Sequence, residues 1–372
     1  MIKILFHLTC LEQGGAERVV TNLSNKFVQN GYEVVVTTQW FSETEFQLDE
    51  KVKRLHVGLE ESDQKRSKIG KVIRRILYLK KTIKEENPDI IISFLKKNNY
   101  RALLANIGTG IPNIVAVRND PKSDYSNFVD KILIPLLYPL ADGAVFQTEE
   151  QKEFFPKGIQ KRSEIILNPV HNKYVVAELP EEKEKVVVQS GRLVGFKNQK
   201  MLVKAFVKVH QKHPDYSLKF YGRDAHDGTK EILEKLILEN DASDYIKLMG
   251  ASDELEKELP KAEIAAFSSF YEGLPNALIE AMVLGMPVVA TDCPCGGPRT
   301  LITHEENGLL IPVDDEEAMV KSICRLIEDK EFARKLGKQA RTLKDRVNED
   351  ATVEQWKRYI DKVISYKNNI VK

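Results

Sequence analysis

Four charged side chains in the second half of this sequence stand in patterns that can grip a diphosphate and a sugar. Arg192 and Lys197 lie in the string Gly191-Arg192-Leu193-Val194-Gly195-Phe196-Lys197-Asn198, directly after the apolar run Val186-Val187-Val188. That order places them at the carboxyl end of a buried strand, where open α/β sheets bind ligands. Gly191 lets a backbone approach closely. A guanidinium and an ammonium straddling a diphosphate would neutralise the charge that grows on a departing nucleoside diphosphate. Taken alone, the same string also fits a solvated basic loop.

Glu272 and Glu280 flank Gly273-Leu274-Pro275 within the string from Phe270 to Met282. The pattern puts Glu272 on a loop and Glu280 in the first turns of a helix. A carboxylate accepts hydrogen bonds from two vicinal hydroxyls, so a pair suits a ribose and a hexose. The amides of Leu274, Asn276 and Ala277 open that helix and can meet phosphate or sugar oxygens. Two acids at this spacing would alone fit a plain surface equally well. A third segment, Gly14-Gly15-Ala16-Glu17-Arg18, follows the first apolar run and opens a helix. Paired glycines there permit close contact with a phosphate or an acceptor. The G-x-G-x-x-G spacing of dinucleotide folds is absent, and a simple tight turn also fits.

Apolar runs alternating with amphipathic stretches must position these residues. Strands are predicted at Ile2–Leu8, Glu33–Thr38, Asp89–Phe94, Asn113–Val117 and Gly143–Gln147, with helices at Ala16–Asn30, Ser67–Glu86 and Arg101–Ile107. A polar segment, His171–Lys185, reads as a linker. The alternation then restarts, with strands at Lys185–Ser190, Ser217–Tyr221, Ile246–Met249, Ile264–Phe267 and Pro287–Ala290. Helices are predicted at Met201–Lys212, Thr229–Asn240, Leu278–Leu284 and Glu316–Glu328, and through most of Glu331–Lys372. Two doubly wound parallel-sheet domains follow, spanning residues 1–175 and 183–350. The last helix, about 352–372, carries Trp356, Tyr359, Ile360 and Val363 on one face and is predicted to pack back on the first domain.

Composition fits an ordinary soluble globular protein: 42% hydrophobic, 30% charged, with a net charge of +1. That charge does not point to nucleic acid. Residues 1–175 carry 26 Lys and Arg against 21 acids, leaving 30 against 34 for the rest. The four cysteines make no disulfide framework, and Cys293-Pro294-Cys295 lacks the second ligand pair of a zinc site. The opening apolar run is too short for a signal peptide, and no stretch approaches a membrane span. The reducing cytoplasm is the expected compartment.

Residues 65–84 contain nine Lys and Arg and no acid. On a helical wheel Ile69, Val72, Ile73, Ile76, Leu79 and Ile83 share a face, with Lys71, Arg74 and Lys81 opposite and Lys68 and Arg75 on a flank. The expectation is a helix docked by its apolar face, presenting cations to anionic headgroups or to a lipid-linked diphosphate. A solvated surface helix is the alternative.

Over essentially its whole length the sequence resembles the family-four retaining glycosyltransferases of the GT-B fold. The strings that carry the resemblance start at Gly14 (GGAERVVTNLS), Asp89 (DIIISFL), Leu167 (LNPV) and Gly191 (GRLVGFKN), and run from Tyr271 to Arg299. The Gly-Gly-Ala-Glu-Arg start is similar to enzymes of bacterial surface-glycan assembly, including N-acetylgalactosaminyl transferases acting on polyprenyl-diphosphate-linked oligosaccharides. The resemblance implies two Rossmann-like domains around an interdomain cleft, with the nucleotide sugar, expected to be a UDP-sugar, held by the second. Arg192 and Lys197 would hold the diphosphate, Glu280 the ribose, and Glu272 the transferred sugar. Gly191, Gly222 and Gly273–Asn276 would line the donor, and Gly14 and Gly15 would close on the diphosphate from the first domain.

Arg118 and Asn119 match donor-site positions, although many relatives carry a His where Arg118 stands. Asn99, with Lys68, Lys71, Arg74 and Arg75, is expected to face the acceptor or lipid. Thr300 replaces the usual Glu after Gly-Pro-Arg, and the loop after Gly222 is longer than the family's. No metal or other cofactor is implied, because Asp-x-Asp is absent and Arg192 and Lys197 would take the cation's place. The expected partners are a nucleotide sugar, a lipid-linked glycan and the cytoplasmic membrane surface. A sugar-nucleotide epimerase, which needs no acceptor, and a non-catalytic membrane- or glycan-binding module are the rival readings.

Overall fold

Runs of Val, Ile and Phe that are apolar on both faces become parallel strands, each needing helices above and below. A computed structural model describes residues 1–12, 14–42 and 44–371, with side chains through Lys367. The chain divides into two units: Met1–Pro169 with Glu349–Lys372, and Val170–Asn348.

The first unit runs β1 (Lys3–His7), α1 (Gly15–Gln29), β2 (Glu33–Thr38), β3 (Lys53–His56), α2 (Lys68–Glu86), β4 (Ile90–Phe94) and α3 (Lys96–Asn106). It continues with β5 (Asn113–Ala116), α4 (Phe128–Leu137), β6 (Gly143–Phe146) and β7 (Ser163–Ile165). The seven parallel strands lie in the order β3-β2-β1-β4-β5-β6-β7. Strand alternation sorts the core. Ile4, Phe6, Val34, Ile90, Ile92 and Ile114 face α1 and the C-terminal helix, Glu349–Val371. Leu5, Val35 and Ile91 face Leu79 and Ile83 of α2, and Val115 faces Ile134 and Leu137 of α4. Helices α2, α3 and α4 therefore form one layer.

The C-terminal helix is held by more than apolar contact. Trp356 is fully buried, with its ring 5.9 Å from that of Phe94. The Tyr359 hydroxyl accepts a hydrogen bond from Ala144 N at 2.8 Å. Only a glycine fits beneath it, because a Cβ on Gly143 would lie 2.5 Å from that hydroxyl.

The second unit contains β8 (Glu184–Ser190), α5 (Gln199–Lys212), β9 (Ser217–Tyr221), α6 (Thr229–Glu239), β10 (Ile246–Gly250) and β11 (Ala262–Phe267). After these come α7 (Asn276–Val283), β12 (Val288–Thr291), β13 (Leu309–Ile311), α8 (Glu316–Glu328) and α9 (Lys330–Arg341). Its strand order is β10-β9-β8-β11-β12-β13, again all parallel. Phe206, Phe220, Ile323 and Leu336 centre its core.

The structure departs from the sequence expectations at several points. The segment His171–Lys185 is not a free linker from its first residue. Val170 N already bonds Val347 O at 2.8 Å, Tyr174 is buried, and Lys173 pairs with Glu256 at 2.8 Å. One aromatic anchor and one paired cation are enough to fasten it to the second unit. Helix α3 begins at Lys96, five residues before the expected Arg101, because Leu95 turns the chain at φ 73°. Strands β3, β7 and β13 and helix α4 had no counterpart in the expectation. Among the described residues no helix is long and apolar enough to cross a membrane.

Removing the Trp356 ring should leave a cavity under the C-terminal helix. Trp356→Ala is expected to cost about 3–5 kcal/mol of stability in the first unit, read by far-ultraviolet circular dichroism in urea. A loss below about 1 kcal/mol would mean that the helix is held by its other contacts, since Phe or Trp to Ala normally costs several times that.

Candidate functional site

Strand order reverses between β8 and β11 in the second unit: β8 leads to β9 and β10 on one side, and β11 to β12 and β13 on the other. Loops leaving the carboxyl ends of strands at such a point diverge and leave a crevice. Lys197 leaves β8 and Glu272 leaves β11, and the two side chains form an ion pair, each 12% exposed. Residues 75 apart in sequence thus meet at the reversal.

The carboxylate is fixed by neighbours. Ser269 Oγ donates to Glu272 Oε1 at 2.8 Å, and Glu272 N donates to Pro294 O at 2.9 Å. Ser268 Oγ donates to Lys197 O at 2.9 Å, holding the two loops together. Thr291, at the end of β12, donates through Oγ1 to Ser269 O at 2.6 Å. Sequence reasoning missed these two serines and Thr291. Their signal was a pair of hydroxyls directly after the apolar run of β11. Phe196 and Tyr271 stack with centroids 5.1 Å apart, and Phe270 N donates to Phe196 O at 2.8 Å.

Glycines set how closely these loops approach. A Cβ on Gly222 would lie 1.9 Å from Gly191 O, and a Cβ on Gly297 would lie 1.9 Å from Gly273 O. Gly191 itself adopts φ 134°, a conformation that L side chains rarely take. Glu280 is buried within α7, while Arg192 is exposed on the β8 loop and its main-chain oxygen accepts from Gln199 Nε2 at 2.8 Å. Leu274, Pro275 and Asn276 form the entry to α7, beside the Glu272 loop. Cys293 and Cys295 are buried beneath that loop and unoxidised. Burial, with the Glu272 and Cys295 charges nearby, pushes the Cys293 thiol up to about 12. Cys295 Sγ donates to Glu272 O at 3.2 Å. Both cysteines therefore support the loop as neutral thiols.

In the first unit the order reverses between β1 and β4. Gly14 caps α1 with φ −118°, and Gly15 is that helix's first residue, so neither needs a left-handed backbone. Asn99 is fully buried and donates through Nδ2 to Ala116 O at 3.1 Å, which corrects its expected place at an acceptor surface. Its side chain supports the end of β5. Arg118 is also buried. Its guanidinium stands 4.8 Å from the Phe94 ring centre and 5.7 Å from that of Trp356, and Nη1 donates to Asn168 Oδ1 at 2.9 Å. Burial lowers its ionisation to about 9. The neighbouring Asn119 accepts through its main-chain oxygen from Gln151 Nε2 at 3.2 Å.

Helix α2 contradicts the expected orientation over its first half. Ile76, Leu79 and Ile83 do pack inward, but Ile69, Val72 and Ile73 are exposed. Arg74, expected outside, turns to the fully buried Asp63, with Nε 3.1 Å from Oδ1, beside Arg66 at 2.7 Å. Arg75 Nε is buried as well. Lys68 remains exposed, and Lys71 Nζ reaches Gln64 Oε1 at 3.5 Å. The cause is Asp63: burial would raise its carboxyl, but hydrogen bonds from Arg66 and Tyr78 and the Arg74 charge hold it at about 2. A carboxylate outside the helix thereby decides which way the helix's cations turn.

Among the described residues one group has metal-ligand geometry, His213, Cys324 and Glu328. His213 Nε2 lies 3.1 Å from Glu328 Oε1, so the two already satisfy one another. The group lies among the carboxyl ends of α5 and α8, apart from the β8–β11 crevice.

The profile described as Glycosyltransferase Family 4 matches residues 13–173, and that of Glycosyl transferases group 1 matches residues 172–343. An α-1,4-N-acetyl-D-galactosaminyltransferase of Campylobacter jejuni, named for a diphospho-undecaprenol-linked substrate, is 26% identical over 92% of this chain and 93% of its own length. A second enzyme of that organism, an N-acetylgalactosamine-N,N'-diacetylbacillosaminyl-diphospho-undecaprenol 4-α-N-acetylgalactosaminyltransferase, is 29% identical over 72% of this chain and 74% of its own. Among solved structures, Anabaena HepE in complex with UDP and glucose superposes with a TM-score of 0.82 at 18% identity, covering 97% of this chain and all of HepE. Sucrose-phosphate synthase from Thermosynechococcus elongatus gives 0.83 at 18% identity, over 98% of this chain and all of that one. The architecture is GT-B. The chain belongs to the family-four glycosyltransferases.

Gly297→Ala isolates the loop packing, since the new methyl would collide with the Gly273 carbonyl rather than with a movable side chain. It is expected to cost about 1–3 kcal/mol in the second unit's unfolding and to weaken nucleotide binding by displacing Glu272. Unchanged stability and binding would show that the two loops can separate freely.

Proposed function

We propose that this glycosyltransferase moves a hexose or N-acetylhexosamine, with retention, from a UDP-sugar to a polyprenyl-diphosphate-linked glycan in bacterial surface-polysaccharide or glycoprotein-glycan assembly. The observation that carries the proposal is the Lys197–Glu272 pair at the β8–β11 reversal. A cation for the diphosphate and an acid for sugar hydroxyls stand in contact, held by serines and glycine-dependent loops. The lipid-linked acceptor is supported by the names of the two Campylobacter relatives, and UDP by its presence with HepE.

In this reading Lys197 exchanges its carboxylate partner for donor phosphate oxygens, and Arg192, exposed on the same loop, joins it. The freed Glu272 then accepts hydrogen bonds from the transferred sugar, and Glu280 from the ribose. Gly191, Gly222 and Gly273–Asn276 let the donor approach backbone. Gly14, Gly15, Arg118 and Asn119 are assigned to the donor on the family resemblance alone. The bond from the anomeric carbon to the diphosphate breaks as the acceptor hydroxyl attacks from the same face. The departing diphosphate oxygen takes the hydroxyl proton, and no covalent enzyme intermediate forms. Lys197 and Arg192 supply the positive charge, so no divalent metal is required. The enzyme works at the cytoplasmic face of the membrane, where a lipid-linked acceptor would be presented.

A thermal-shift screen of UDP-, GDP- and ADP-sugars identifies the donor, since a ligand at about 100 times its Kd stabilises by roughly 2.7 kcal/mol. With that donor and extracted lipid-linked glycans, Lys197→Ala is expected to lower turnover about 10²-fold or more. EDTA should leave the rate unchanged, and the product anomer should match the donor. Conversion of the nucleotide sugar without an acceptor would indicate an epimerase instead. Full activity of Lys197→Ala would remove the pair from the mechanism.

A further inference from the structure

The first unit leaves an apolar surface uncovered. On α4, Phe128, Ile132 and Leu136 recur every four residues and are 75%, 47% and 62% exposed, and Leu140 extends the row at 48%. Val129 stands beside them at 57%. Residues spaced i, i+4, i+8 form one stripe along a helix. The opposite side of α4, with Ile134 and Leu137, is what packs on the sheet. This outward row is therefore a second apolar face, which a soluble surface has no reason to maintain.

Helix α2 carries a matching row. Ile69, Ile73 and Leu77 share the same spacing and are 74%, 51% and 47% exposed. Both helices belong to one layer, with α3 packed against each. Exposed charge on the two rows has one sign. Lys65, Lys68 and Lys81 flank the α2 row, and Lys131 stands within the α4 row. No acid occurs in residues 65–84, and the single acid between Tyr125 and Ala141, Asp130, is buried and paired with Lys96 at 3.1 Å.

We infer that the outer face of the α2–α3–α4 layer seats the protein on an anionic lipid bilayer, with Phe128, Ile132 and Leu136 entering the acyl boundary and the lysines meeting headgroups. Apolar side chains ringed by cations are what interfacial attachment combines. A second copy of the chain fits less well, because a two-fold contact would set these lysines against their own counterparts. The inference deepens the proposed use of a lipid-linked acceptor, yet vesicle binding requires neither donor nor acceptor.

The test is co-sedimentation of the full chain with vesicles of phosphatidylcholine, alone or mixed with phosphatidylglycerol. Wild type should bind the anionic vesicles more strongly, and Phe128→Ser with Leu136→Ser should weaken that binding about tenfold or more. The melting temperature and transfer to a water-soluble acceptor should stay unchanged in that variant, because both side chains are exposed. Ile69→Ser with Ile73→Ser should weaken vesicle binding in the same way, and Lys131→Glu should do so most at low salt. Equal binding by the Phe128→Ser, Leu136→Ser variant overturns the inference, as does failure of wild type to bind anionic vesicles. Light scattering that shows a wild-type dimer lost in this variant, with vesicle binding intact, overturns it in favour of self-association. Absence of transfer to any acceptor by wild type that binds vesicles would defeat the functional proposal and leave the docking surface standing.

Discussion

A lysine and a glutamate in contact, largely withdrawn from water, are the constraint around which the second unit is arranged. Each charge would be costly to withdraw alone, and each is tolerated because the other is there. Neither residue is near the other in sequence. Parallel strands send every carboxyl end to one edge, and the reversal of order between β8 and β11 makes the departing loops neighbours. The pair is thus a product of topology. A one-residue slip in the pairing of β11 with β8, which aligns Ala265 with Val188, would turn β11's core side chains to the opposite face.

Around that pair the supporting groups are small or polar for steric and electrostatic reasons. Gly297 and Gly222 stand where a methyl group would overlap a carbonyl oxygen, so the loops bearing Gly273 and Gly191 are packed backbone to backbone. Ser268 and Ser269 tie the Lys197 main chain and the Glu272 carboxylate to the end of one strand. The thiols below remain protonated, and so add no negative charge beside a site assigned to a diphosphate. Rigid backbone with exchangeable side-chain partners is a suitable arrangement for transfer chemistry. Lys197 can change partner while the loops stay still, which limits reorganisation when charge develops on a leaving group.

Much of this was legible in the sequence where one physical requirement dominated. Strands buried on both faces read as unbroken Val and Ile runs, and the helix Glu316–Glu328 was foreseen to its ends because Asp315 caps an amphipathic run. The strings around Lys197 and Glu272 were visible because glycine, proline and paired charges rarely coincide without cause. What escaped was set by neighbours distant in sequence. Strand β3 reads Lys-Arg-Leu-His and is strand only because β2 offers it an edge. Helix α4 is apolar on both faces, so no periodicity marked it. On α2 the wheel separated apolar from basic residues correctly, but Asp63, lying before the helix, drew Arg74 inward. Periodicity sorts residues into faces; a buried countercharge decides where the cationic face points.

Arg118 shows the same dependence on distant elements in the first unit. The guanidinium sits at the carboxyl end of β5 yet touches rings from β4 and from the C-terminal helix. Among the described residues, its Nε and Nη2 have no hydrogen-bond partner, so aromatic faces carry much of its stabilisation. Many family members place an imidazole there, which can lose its proton when buried. A guanidinium stays charged even with its ionisation lowered to about 9. The position therefore keeps a positive charge at neutral pH, and Trp356 serves both the packing of the last helix and the placement of that charge. Stability of the first unit and the charge at its sheet edge cannot be altered independently, because one indole ring supports both.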